Sequence, residues 1–184
     1  MNTQFAKSLA AALSLACAAF LGSCASSVAS HSAKVLATAS LADGMGKPVG
    51  VARIEQIGTT MRFLAEVNGI APGDHGIHLH TIGKCEAPAF ASAGGHLNPA
   101  AHQHGSLNPA GPHLGDLPNV TVGADGTGTL AFVIAGNAAE VAASLFDADG
   151  TAVVVHASGD DYKTDPSGNS GSRIACGVFS RPST

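Results

Sequence analysis

The chain has 184 residues, a formal net charge of −4, 45% hydrophobic residues and no Trp. That length fits one domain plus a removable leader, and with aromatics at only 4% the core must be built from Val, Ile, Leu and Ala. The acidic balance and the lack of a basic run exclude nucleic-acid binding through a phosphate-contacting patch, while 23 Gly and 9 Pro point to turns and short strands rather than a helical bundle.

Residues 1–23 read as a signal peptide. Lys7 supplies a positive charge ahead of an apolar stretch, residues 8–21, that is too short to span a bilayer comfortably. Leu21-Gly22-Ser23-Cys24 resembles the bacterial lipobox, whose cysteine is lipidated and becomes the mature N-terminus. Ordinary secretion, with cleavage after Ala29 or Ser30, is the alternative. Either route takes the mature chain out of the cytoplasm to the periplasm, and a lipid anchors it to a membrane without spanning it. Residues 24–33 form a Ser-rich flexible tether and residues 34–184 the folded domain. With Cys17 in the leader and Cys24 used by the lipid or removed, Cys85 and Cys176 remain. In an oxidising compartment they read as a disulfide, with two unpaired buried thiols as the alternative.

The domain begins with predicted strands over residues 34–41, 49–57 and 60–67. In the third, Met61, Phe63, Ala65 and Val67 alternate with Thr60, Arg62, Leu64 and Glu66, the period of a half-buried strand. A turn containing Pro72-Gly73 leads to a strand over residues 75–81. Residues 82–118 have no sustained period and are rich in Gly, Pro, Asn and His; a loop that long inside a compact domain is normally functional. Strands resume at 120–122, 127–134 and 152–156, a second polar loop covers 160–172, and a last strand covers 174–180. No helix is expected. About eight short strands with two long loops imply an all-β antiparallel sandwich or barrel.

Six of the nine histidines lie between Gly76 and Asp116. His78 and His80 are two apart on a strand, so both project from one face and can approach one ion. His96, His104, His113 and Asp116 follow at loop spacings, and three imidazoles with one carboxylate complete a tetrahedral zinc shell of the structural type. His78, His80 and His156 add imidazoles of the kind that suit oxidised copper. Seven ligand candidates serve two ions that need about eight ligand bonds. One histidine bridging both ions through its two ring nitrogens closes the count.

The segments GIHLHTIGKC, SAGGHLNP, His104, GPHLGD, VVVHASGDD and GSRIACGV, in this order between about residues 75 and 179, resemble the copper/zinc superoxide dismutase family, especially its bacterial secreted branch. The resemblance implies a Greek-key β-sandwich or flattened barrel. It also implies an oxidoreductase that disproportionates superoxide to dioxygen and hydrogen peroxide by alternate reduction and oxidation of copper. It implies copper on His78, His80, His96 and His156, and zinc on His96, His104, His113 and Asp116, with His96 as the bridge. In that family the bridge opens on the copper side during reduction and the freed imidazole takes up a proton. Asp160 matches a carboxylate linking one copper ligand to one zinc ligand, and Arg173 matches the arginine that attracts and orients the anion. Cys85 and Cys176 match the family disulfide. A monomer and a homodimer are both compatible with the resemblance.

The other histidines have separate readings. His75 is expected to be a buried hydrogen-bonding residue, and His102, two residues before His104, is the weaker zinc candidate by spacing. His31 belongs to the tether, and Asp147, Asp149 and Asp161 read as solvated turn residues. A metal storage or delivery protein is the rival from a binding class, but it favours Met-rich ligands, and Met45 and Met61 fall outside the constellation. A structural surface lipoprotein on the same fold is the third reading; loss of a ligand or of Arg173 would support it, and none is lost.

Overall fold

The computed structural model describes residues 32–182; the leader, Cys24 and His31 lie outside the described residues. Nine strands make one antiparallel sheet: β1 (Lys34–Asp43), β2 (Pro48–Ile57), β3 (Thr60–Asn68), β4 (Gly73–His75), β5 (Ile77–His80), β6 (Val120–Val122), β7 (Thr127–Ile134), β8 (Ala152–His156) and β9 (Arg173–Val178). Their lateral order is β4-β6-β7-β3-β2-β1-β9-β8-β5. The two outermost strands, β4 and β5, are consecutive in the chain and separated only by Gly76. Residues 73–80 therefore close the sheet on itself into a nearly complete barrel, with β4 paired to β6 and β5 paired to β8. The expected single strand over 75–81 is thus two short strands with different partners.

Strand alternation sorts the residues as expected. Met61, Phe63, Ala65 and Val67 of β3 all point inward and are buried, together with Ala52 and Ile54 of β2 and Ala37, Ala39 and Leu41 of β1. Burying each of the larger apolar side chains contributes about 1.5–3 kcal/mol. In β5 and β8 the inward set is Ile77, Leu79, Val153 and Val155. The opposite parity, His78, His80, Ala152, Val154 and His156, faces out of the barrel. These residues are nonetheless buried because two loops cover that wall. The first loop fills in Ala152 and Val154 with Phe90 and Ala93, beside the disulfide sulfur of Cys176.

A second expectation is corrected. A helix, α1 (Ala138–Leu145), follows β7. Asn137 caps it, its side-chain oxygen accepting the amide of Ala139 at 2.8 Å, and Glu140 sits in the first turn. Ala138, Val141 and Leu145 recur at helical spacing and are buried. The asparagine cap and this short apolar period are the sequence signal for the helix, set against a chain that otherwise alternates with a period of two.

Candidate metal centre

The loop after β5 runs back beside that strand rather than away from it. Leu79 donates to Gly115 O at 3.0 Å, Leu97 donates to Leu79 O at 2.8 Å, and Thr81 donates to Gly95 O at 3.0 Å. Isolated bridges consequently pair His80 with His96 and His78 with Asp116. Gly115 permits this approach, since a Cβ there would stand 2.3 Å from Leu79 O. The loop after β8 folds over the top. Gly168 (φ 63°) passes where a Cβ would meet Asp160 Oδ1 at 1.7 Å and His104 Nε2 at 2.8 Å, so only glycine fits.

Two four-residue groups of potential ligand atoms result, each within 4.8 Å of one another. One is His78, His80, His96 and His156; the other is His96, His104, His113 and Asp116. All the sequence-predicted ligands are thus brought together, and His96 belongs to both groups. None of the seven side chains is more than 7% exposed. In the first group one ring nitrogen of each histidine is held by an acceptor. His78 Nε2 donates to Asp160 Oδ2 at 2.8 Å, His80 Nδ1 to Gly94 O at 3.0 Å and His156 Nδ1 to Gly171 O at 3.1 Å. These bonds fix the tautomers and leave the other nitrogen as a lone pair. His78 Nδ1, His80 Nε2, His96 Nε2 and His156 Nε2 are all buried and all without a hydrogen-bond partner. Four converging, unpartnered lone pairs in a buried site fit a cation and are costly otherwise.

The second group is built around one oxygen. Asp116 Oδ2 accepts the amides of Gly105 at 2.8 Å and His113 at 3.0 Å, which presents Oδ1 inward. His96, His104 and His113 bring their Nδ1 atoms to 2.9, 3.0 and 3.1 Å from that oxygen. Three imidazole nitrogens crowded with one carboxylate oxygen form the donor set of a closed zinc site. Asp160 links the groups: Oδ2 takes His78, while Oδ1 takes His104 Nε2 at 3.0 Å and the amide of Tyr162 at 2.6 Å. Asn119 holds Asp160 in turn, accepting its amide at 2.8 Å and donating to its carbonyl at 3.0 Å.

Electrostatics favour the ligand-ready forms of the first group and of both carboxylates, whereas His104 is held protonated by its carboxylate neighbours. Burial pushes His78 down to about 3, His80 to about 2 and His156 to about 4, and lowers His96 as well, so these imidazoles are neutral at pH 7. Burial opposes ionisation of Asp116 and Asp160, but histidine and amide donors outweigh it and hold both well below the usual carboxylate range. For His104, burial lowers the value, yet Asp116 and Asp160 prevail and raise it to about 9.

Arg173 is clamped at the edge of the first group. Nη1 donates to Phe90 O and Nη2 to Gly94 O, each at 2.6 Å. Both carbonyls belong to the loop that Cys85 ties to Cys176 of β9, a bridge with Cα atoms 5.7 Å apart. That covalent bond fits an extracytoplasmic protein. A cleft of about 450 Å³ opens over His80, His96, His156 and Arg173. His75 is buried as expected, its Nδ1 2.7 Å from His156 O and its Nε2 2.9 Å from Ala71 O. His102 is exposed and donates Nδ1 to Pro112 O at 2.9 Å, outside both ligand groups. Asp161 is a turn residue that accepts the amides of Lys163 and Thr164. The sequence reading missed the carbonyls of Phe90, Gly94 and Gly171 and the clamp of Asn119. Backbone acceptors carry no residue-type signal, so spacing offers no means of finding them.

Residues 49–179 match the family described as copper/zinc superoxide dismutase (SODC). The chain belongs to the copper/zinc superoxide dismutase family. It is 39% identical to superoxide dismutase [Cu-Zn] 1 of Aquifex aeolicus over 76% of this chain and 85% of that one. It is 41% identical to superoxide dismutase [Cu-Zn] of Caulobacter vibrioides over 78% and 84%. The crystal structure of a SOD-like protein from Bacillus subtilis is similar at a TM-score of 0.71 and 37% identity, over 79% of this chain and 99% of that one. The dismutase fold, the oxidoreductase activity on superoxide and the use of copper and zinc follow from membership.

Proposed function

We propose that this dismutase works at copper held by His78, His80, His96 and His156, with zinc on His96, His104, His113 and Asp116 and with Arg173 as the anion anchor. The four buried imidazole nitrogens that converge without partners carry this reading. When bound, copper supplies the single-electron acceptor and donor, and zinc supplies a fixed positive charge without redox change. Asp160 orients His78 and His104 together, so the two ligand groups keep one geometry. The carbonyls of Gly94 and Gly171 orient His80 and His156. The Arg173 guanidinium spends two N–H groups on the clamp and keeps the others for a small anion in the cleft. Burial makes its charge harder to hold, but arginine stays protonated throughout the physiological range. Two superoxide anions and two protons give one dioxygen and one hydrogen peroxide, and His96 Nε2 is the buried site that takes and returns a proton. Burial of the ligands disfavours the storage reading, which requires exchange, and the complete ligand set disfavours a purely structural one.

The test is superoxide dismutation by the purified mature chain loaded with both metals, beside a metal-free sample and His156→Ala. Fast turnover by the loaded protein, with both controls dead and zinc retained by the variant, supports the assignment. Stoichiometric copper and zinc without dismutation would overturn it. We further propose that residues 1–23 are removed as a lipoprotein signal, that Cys24 carries the lipid, and that residues 34–184 work in the periplasm on a tether of residues 24–33. Among the described residues no helix is long and apolar enough to cross a membrane. Intact mass of the membrane-extracted protein decides it: an acylated N-terminus at Cys24 supports the anchor, and an unmodified one near Ser30 refutes it.

A further inference from the structure

Among the described residues that line the cleft, two carry fixed charges of opposite sign, Arg173 and Asp165. A carboxylate at the mouth of a site for an anion is unfavourable for capture, so its position calls for a physical account. Asp165 Oδ1 accepts the backbone amide of His104 at 2.7 Å and stands 4.0 Å from His113 Nε2. It therefore fastens the 160–172 loop to the loop bearing the zinc-side histidines. An asparagine oxygen could accept that amide equally well, so the bond alone does not require a charge. The side chain is about half exposed, at 49%, and its negative field reaches the cleft.

We propose that Asp165 is a charge filter, a specificity-determining residue that keeps multivalent anions off Arg173 while slowing the superoxide monoanion only modestly. The inference rests on Arg173 being the anion anchor. Coulomb energy scales with ligand charge, so a factor of about two against a monoanion, typical of one charge several ångströms away in water, becomes about four against a dianion. Phosphate and other dianions are thereby disfavoured relative to superoxide without any steric gate.

The experiment compares fully metal-loaded wild type, Asp165→Asn, Ser167→Asp, Glu140→Gln and Arg173→Ala at constant ionic strength and mildly alkaline pH. It measures kcat/KM for superoxide and the inhibition constants of inorganic phosphate and chloride. Asp165→Asn is expected to raise kcat/KM about twofold and to tighten phosphate about fourfold and chloride about twofold. Ser167→Asp adds a carboxylate among the same lining residues without touching the His104 bond, and is expected to shift all three the opposite way. Glu140→Gln removes a charge outside the cleft and is expected to leave them unchanged. Equal shifts for phosphate and chloride, or no shift in either cleft variant, would overturn the filter. Phosphate inhibition that persists undiminished in Arg173→Ala would instead overturn Arg173 as the anchor.

Discussion

At the residue scale, Asp160 does the most with one side chain, because its two oxygens orient a histidine in each ligand group. Asp160→Asn keeps the size but replaces one acceptor by a donor. Metal affinity is expected to fall about 10–100-fold, measured by competition with a chelator of known affinity. The metal-free protein should also show a defined pH profile. Its His78, His80 and His156 lie below their ordinary value of 6.5, so the unfolded chain binds those protons first. Their contribution is complete above about pH 6.5 and is lost progressively as pH falls below 6.5 through about 4, 3 and 2. His104, raised to about 9, acts with the opposite sign: its contribution is complete below 6.5 and is lost as pH rises through 9. Thermal melts of the metal-free protein are therefore expected to peak near neutrality and decline on both sides. The candidate ligands were legible in the sequence because imidazole and carboxylate side chains carry a residue-type signal, and the structure brings all seven together. The orienting carbonyls of Gly94 and Gly171 were not, since any residue supplies one.

At the element scale, β3 was legible from alternation alone, since Met61, Phe63, Ala65 and Val67 face a dry core. Helix α1 was not, because Ala-rich sequence at residues 138–145 fits either period until Asn137 is recognised as a cap. The split of the 73–80 segment was also hidden, because strand partners depend on closure of the whole sheet. The disulfide makes a prediction at this scale. It closes a loop with a sequence separation of 91, worth about 4–5 kcal/mol in the chain-entropy account. Replacing Cys85 and Cys176 by Ser is expected to lower the denaturation midpoint accordingly. It should also weaken anion inhibition, because the loop carrying Phe90 O and Gly94 O loses its tie to β9. Urea titration and azide inhibition measure the two effects.

For the whole molecule, the net charge of −4 repels an anionic substrate at long range. Superoxide dismutases are a standard instance of electrostatic guidance, and on the proposed assignment it comes from the local field of Arg173 and the metal cations. Because the attraction is local and the repulsion diffuse, added salt has two opposed effects. Low concentrations of salt are expected to raise kcat/KM slightly by screening the acidic surface, whose repulsion acts over the longer range. Higher concentrations are expected to reduce it as the Debye length falls to about 3 Å near 1 M. Stopped-flow decay of superoxide across a salt series reads both limbs.

The closure of the barrel by residues 73–80 has a consequence for breathing motions. The seam between the two sheet edges is the same stretch that bears His78 and His80. With copper in its proposed place on His78 and His80, binding stabilises the closed seam by mass action, so metal loading and seam opening are linked quantities. Amide deuterium exchange at Leu79, bonded to Gly115 O, and at His156, bonded to Gly76 O, should slow on copper loading. The amides of β2 and β3, on the far side of the barrel, should slow far less.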